Sequence, residues 1–486
     1  HEPDYENYIR GIPVETGFQF LMGTFLCKNK IKGGYGMDNQ TKDLTQGPIG
    51  RQVFFFALPL LGGSLIQQLY NTVDLIFVGQ FLGKSASAAV GAGSLLVTCI
   101  LGFFTGLGVG VGILAARAFA MGKEKELGRT VHCTAGLALI FSVLFTLIGV
   151  IFTPVFLEWL NTPENVMDQA VVYLRIYMLG LFSIVSYNLG LGILRAMGNS
   201  RSPMLYQLAG GILNVAGDAF FICGLDFGVA GAALATVCSQ TLAAILVIGR
   251  LAGLKAPCGL KISQIRIYRK LTRQIMGFGI PAAIQSIVIT LSNLIVQSGI
   301  NGLGVDSIAA FTAYFKIENF IYLPIMAFGQ AASTFTSQNI GAGQRQRVRK
   351  GACITILLGT AVTLFVSGFI LFFCPYIFSA FVPDRQVVAL GCQIAAIAYP
   401  FYFLYVFLEV FSSVIRGAGK TLVSMILILG NMCVLRICLL QVMLYIRPDV
   451  QGVAVIYPVT WGTTALCMFL YYKWGRWEKN VPEALG

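Results

Sequence analysis

The chain is expected to be an all-α integral membrane protein with twelve transmembrane helices in two parallel six-helix repeats. Of its 486 residues 56% are hydrophobic and only 11% charged, with a mean hydropathy of +0.76. Such a chain cannot cover its own core with a solvated surface. The second observation is a repeat. Ile193-Leu-Arg-Ala-Met-Gly-Asn-Ser200 returns as Val414-Ile-Arg-Gly-Ala-Gly-Lys-Thr421, and Pro59, Gly122 and Gly228-Val-Ala230 return in step as Pro281, Gly343 and Gly452-Val-Ala454. A duplicated membrane protein is a transporter by default.

A spanning helix takes about 20 apolar residues. The stretches are 52–79, 88–116, 130–153, 168–194, 203–224 and 227–250 in the first half, then 276–300, 307–338, 351–373, 388–415, 421–446 and 451–474 in the second. Apolarity on every face excludes a transmembrane β-barrel, whose strands alternate over about 10 residues. An even number of helices per half returns the chain to its starting side, so the repeats are parallel about an axis along the membrane normal. Pro59 and Pro281 open the first and seventh helices, and Gly102, Gly106, Gly108, Gly110 and Gly112 let the second approach its neighbours closely.

Basic residues cluster in alternate loops, including Lys123, Arg195, Arg201, Arg250 to Arg273, Arg345 to Lys350, Arg416 and Lys420. With both termini cytoplasmic this satisfies the positive-inside rule. The net charge of +13 is then assigned to topology and anionic membrane lipid, and no nucleic-acid partner is expected. Residues 1–50 form a cytoplasmic extension expected to be disordered, with a natural start at Met37. Residues 51–250 make the first lobe, 251–275 a basic linker, 276–475 the second lobe and 476–486 a cytoplasmic tail. In the linker, Ile262, Ile265, Ile267 and Leu271 suggest an amphipathic helix on the inner leaflet.

Several chemistries are set aside. The twelve cysteines have no CxxC pair, so neither a metal site nor a disulfide framework is implied. Gly79 to Ser85 and Gly417 to Thr421 imitate phosphate loops, but the glycine spacing fails and no soluble strand precedes either. No His, Cys or Ser cluster lies near a carboxylate, so an enzyme is not expected and no cofactor is called for. Energy must come from an ion gradient or the substrate's own.

What remains is a set of polar residues inside the spans. Asp74 in the first helix and Asp218 in the fifth both fall roughly 8–9 Å below the outer boundary at 1.5 Å per residue. Asn214 lies one turn before Asp218, and Thr236 in the sixth helix roughly 13 Å deep. Two carboxylates, an amide oxygen and a hydroxyl are hard oxygen donors that suit Na⁺ or, alternatively, hold a proton. Intramembrane acids mark ion pathways more often than not. By the repeat register their counterparts are Val296, Leu435 and Leu439, so one copy of the site survives. A secondary polar or substrate site is drawn from Asn71, Gln285, Asn293, Glu318, Glu409 and Arg436, with Arg436 expected to pair with Glu318 or Glu409 and Lys316 counted as a further buried charge. Tyr70, Phe182, Tyr187, Phe315, Phe320, Tyr322, Phe401 and Tyr402 are candidate linings of an aromatic cavity for cations.

The Leu-Arg-Ala-Met-Gly-Asn loop, the Asn214-x-x-x-Asp218 pair and the Gly228-Val-Ala-Gly-Ala-Ala-Leu-Ala-Thr236 segment resemble the multidrug and toxic compound extrusion (MATE) family, in particular its MepA-like bacterial branch. The resemblance covers roughly residues 45–475. It implies a V-shaped pair of lobes and a monomer in the bacterial cytoplasmic (inner) membrane that exports small cationic amphipathic drugs, antibiotics among them, in exchange for Na⁺ or H⁺. Carried over by position, the family's first-lobe cation site falls on Asp74, Asn214, Asp218 and Thr236. The seventh helix here has no acid, whereas another branch of the family carries one. A lipid-linked precursor flippase of the same superfold is the alternative, though it would want more intramembrane bases than Lys316, Arg436 and Arg175.

Overall fold

The computed structural model describes residues 43–475 and Trp477. The expectations for residues 1–36, for Met37 as the start and for most of the tail lie outside the described residues. Twelve spans follow in order: α1 (Ile49–Phe77), α2 (Gly83–Ala120), α3 (Glu124–Trp159), α4 (Glu164–Leu179, then Leu181–Ala196), α5 (Arg201–Gly224), α6 (Gly228–Ala252), α7 (Arg269–Asn301), α8 (Val305–Gly341), α9 (Arg345–Phe372), α10 (Arg385–Gly417), α11 (Thr421–Ile446) and α12 (Val450–Trp474). No strand occurs among the described residues.

Nine helical stretches among the described residues are long and apolar enough to cross a membrane, or ten with the pair in α4, which bends by 50°. The twelve expected spans are recovered because Ile49–Ala120 counts once yet breaks at Gly83, whose φ of +80° leaves the helical region. The other is α8, whose window is diluted by Lys316, Glu318 and its amides. Leu357, Phe365 and Phe372 stand 69%, 75% and 80% exposed on α9, an apolar face that only lipid would cover.

Buried side chains fall into two main cores. One gathers Val78 to Ile275 and the other Val296 to Trp477, so each half packs its own interior. A third cluster joins them, with Val53, Phe56 and Leu60 of α1 against Phe328, Ala331 and Phe335 of α8. The halves also meet along α2 and α7. A Cβ on Gly106 would lie 2.3 Å from the Ala283 amide nitrogen, and one on Gly110 2.5 Å from the Ile275 carbonyl. Glycine is required there because backbone meets backbone.

Two expectations are corrected. Residues 43–50 are ordered: Leu44 is buried, its N–H donates to Gln338 Oε1 at 2.9 Å and its carbonyl accepts from Asn339 Nδ2 at 3.2 Å. The linker contains no amphipathic helix. Ile265 and Ile267 pack on Gly136 of α3, Leu271 is buried inside α7, and Ile262 projects outward. His132 of α3 accepts the Lys261 N–H at 3.1 Å, which straps the linker against α3 with extended backbone at Lys261 instead of a helix.

Candidate functional site

Asp74 and Asp218 come together across α1 and α5, near enough for each carboxylate to bear on the other's charge. Each precedes a π-helical turn, Val78–Leu82 after Asp74 and Ala219–Gly224 immediately after Asp218, and the two turns pack on each other. Such wide turns insert one residue into the helix, re-aim the side chains around them and recur at functional sites. Asp218 is fully buried and Asp74 half-buried. Both Asp218 oxygens and Asp74 Oδ1 lack a donor among the described residues. No lysine or arginine neutralises them among the described residues, and two acids this near each other and withdrawn from water call for a proton or a cation between them.

Asn214 is buried one turn earlier, and its Oδ1 also has no partner among the described residues. Thr236 lies on α6 next to Ala235, against which Gly217 of α5 packs, but its hydroxyl donates to Ala232 O at 3.1 Å and no hydrogen bond ties it to the acids. Asn71 is exposed on α1. A hydrogen-bonded layer lies alongside, centred on Gln207, which sequence reasoning missed: it donates to Tyr70 Oη at 3.0 Å and accepts from Tyr187.

The second half is arranged otherwise than expected. Glu409 is bound by Arg416 at 2.7 Å, seven positions on in the same helix, with Ser413 Oγ donating at 3.0 Å. Glu318 accepts from Tyr314 Oη at 3.1 Å and from Tyr402 Oη. Arg436 pairs with neither acid among the described residues. It donates to Asn293 Oδ1 at 3.4 Å and Thr460 Oγ1 at 3.3 Å, and lies 5.1 Å from the Tyr457 ring. The expected ion pair is therefore replaced by neutral partners, and Lys316 is exposed rather than buried.

A cavity of about 390 Å³ opens between the halves, within the usual range of ligand sites. It is lined from α2, α4, α7, α8, α10 and α11, with Thr105, Asn188, Gln285, Ser286, Gln330 and Thr334 as its polar walls. Of the eight aromatics expected to line a cavity none does; Tyr405 is the aromatic that lines it. Tyr402 and Tyr187 are buried and bonded elsewhere, and Phe182, Phe320 and Phe401 face outward. The basic end of the cavity is sealed. Arg117 donates to Gly417 O at 3.4 Å, Ser337 to the same carbonyl at 3.0 Å, and Gln338 Nε2 to Ala196 O at 2.7 Å. Arg195 and Arg416, both lining residues, occupy equivalent places in the repeated motif; that repeat was the signal that could have found them.

Duplicated helical halves, a central cavity sealed at one end and paired intramembrane acids define a multi-pass membrane transporter, not an enzyme. A MatE family model matches residues 59–220 and again 281–441, once per repeat, and the chain belongs to that family, the multidrug and toxic compound extrusion transporters. It is similar to the probable multidrug resistance protein YpnP of Bacillus subtilis, 28% identical over 90% of this chain and 97% of that one. It is also similar to the multidrug export protein MepA of Staphylococcus saprophyticus, 22% identical over 69% of this chain and 74% of that one. The outward-facing structure of a multidrug resistance MATE transporter superposes with a TM-score of 0.84 at 24% identity, over 90% of this chain and 98% of that one, which shows the fold.

Proposed function

We propose that this chain is a Na⁺- or H⁺-coupled antiporter that exports small, charged, amphipathic compounds from the cytoplasm by alternating access. The observation that carries the reading is the Asp74 and Asp218 pair, buried together without a basic partner among the described residues. An ion entering from outside would be held by the two carboxylates with Asn214 Oδ1, and Thr236, whose hydroxyl donates to Ala232 O and so keeps its oxygen lone pairs for a cation, would complete the set. Binding there favours one arrangement of α1 and α5, whose π-helical turns are in contact. Because α1 also packs on α8, that bias reaches the second half, and ion and cargo compete through one bistable scaffold without touching.

The basic end is taken as cytoplasmic, in the bacterial inner membrane, with the protein working as a monomer in lipid. On that orientation the sealed end makes this an inward-closed state. A cationic cargo is the family expectation; the acid bordering the cavity is Glu409, already engaged by Arg416. The two lining arginines give some support to the alternative, a flippase for a lipid-linked pyrophosphate.

Ethidium efflux from proteoliposomes under an imposed Na⁺ or pH gradient tests the proposal. Wild type should respond to one gradient and Asp218→Asn to neither. Unimpaired efflux in the variant would remove the coupling role, and movement of a lipid pyrophosphate without ethidium would favour the flippase.

A further inference from the structure

The charges on the cavity wall do not match a plain cation. Its lining contains two guanidiniums, Arg195 and Arg416, and one carboxylate, Glu409. Arg416 and Glu409 neutralise each other at 2.7 Å with side chains only 14% and 10% exposed. Arg195 is left over. Its Nε has no hydrogen-bond partner, and no carboxylate pairs with it among the described residues. Its one electrostatic neighbour of note is the Tyr187 phenol, which donates to Gln207 instead. Behind the floor, Arg117 is a further buried guanidinium, bonded through its NH2 to a neutral carbonyl and stacked on Phe278. The remaining walls are uncharged: neutral hydrogen-bonding groups, aliphatic side chains such as Val109, Ile289, Met326 and Met432, and the single ring of Tyr405.

From this geometry we infer that the cavity recognises a cargo bearing an acid group, and that Arg195 is the residue that receives it. The inference deepens the antiporter reading and rests on it for the direction of movement. A guanidinium offers a planar fork of donors that fits a carboxylate or a phosphate monoester through two parallel bonds. In a partly desolvated site such a fork is costly to leave unsatisfied. A purely cationic molecule such as ethidium leaves the charge of Arg195 uncompensated, because the one carboxylate at the wall is already paired, so it is held more weakly than a molecule that adds an acid group, though still carried. An anionic or zwitterionic amphipath supplies the missing charge. Its hydroxyl or amide groups then find Asn188, Gln285 and Gln330, where Gln285 Oε1 and Gln330 Oε1 are buried without donors among the described residues. Its flat apolar part has Tyr405 and Met326.

The test uses the purified full-length protein in detergent and one xanthene dye in two forms, the free carboxylic acid and its methyl ester, which share the ring cation. Fluorescence anisotropy gives both dissociation constants without any gradient. Wild type should bind the acid at least about tenfold more tightly than the ester, as expected for one charge-assisted fork. Arg195→Gln should bring the ratio to about one, and Arg195→Lys should keep part of it. The inference is overturned if wild type binds the ester as tightly as the acid, if it binds neither, or if the preference survives in Arg195→Gln. The wild-type ratio alone decides the matter should that variant fold poorly. Acid preference without gradient-driven transport would leave the inference standing and remove the antiporter reading, whereas driven export of both dyes with equal affinity would do the reverse.

Discussion

Asp74 and Asp218 face each other from α1 and α5, Asp74 one turn before a π-helical turn and Asp218 immediately before another, and the two turns pack together. Two groups that share one ion act as a unit, so their removal should not be additive. Asp74→Asn and Asp218→Asn are each expected to reduce gradient-driven efflux to background. The double variant should be no worse than either. Proteoliposome flux with matched protein levels measures this, and a double variant clearly below both singles would show that the carboxylates serve separate steps.

Glu409 and Arg416 form the one ion pair at the cavity among the described residues. Losing a partner costs about 3–5 kcal/mol in a dry interior but only about 1 kcal/mol at a surface. For a pair at a cavity wall, about 2 kcal/mol is expected for Arg416→Gln, which leaves Glu409 with Ser413 alone. Glu409→Gln/Arg416→Gln together should recover much of that loss. Apparent thermal midpoints of the purified variants decide, and a double variant less stable than Arg416→Gln would contradict the pairing.

The legible parts of this molecule were those where the membrane imposes a cost. Apolar runs declare spans because no other segment can sit in lipid, and Asp74 and Asp218 stand out because a charge there needs a reason. Partner choice was not legible, since depth and spacing do not fix rotation about a helix axis. Glu409 thus found Arg416 on its own helix, while Arg436 settled among Asn293, Thr460 and Tyr457. The linker was misread for a related reason: an apolar period of about 3.6 says that a face is covered, not by what, and here Gly136 of α3 covers it.

The seam between α2 and α7 should be intolerant of a single methyl group. At Gly106 a Cβ would sit 2.3 Å from Ala283 N and 2.4 Å from its Cα, and backbone cannot step aside. Gly106→Ala is expected to destabilise by about 1–3 kcal/mol and to part the halves locally. Gly91→Ala, with nothing within 4 Å, should instead be neutral or stabilising by up to about 1 kcal/mol from helix propensity. Equal midpoints for the two variants would refute the close seam.

The linker strap gives a prediction that needs no transport. Cys258 sits where the linker meets the start of α3, with Sγ 3.5 Å from Glu124 O. Burial pushes its thiol up to about 11, and the Glu124 charge adds to the effect. A raised pKa means that the thiolate is scarce at neutral pH and grows only as pH climbs toward 11. In a variant retaining Cys258 alone, iodoacetamide at pH 8 should therefore react about 100-fold more slowly than with an ordinary thiol of pKa about 8.5. The rate should still be rising tenfold per pH unit above pH 9, where an ordinary thiol has levelled off. His132→Ala removes the acceptor for the Lys261 N–H and should speed the labelling at pH 8 by freeing the strap. A wild-type rate profile that levels off near pH 9, or one that His132→Ala leaves unchanged, would mean that the linker is not held against α3 in solution.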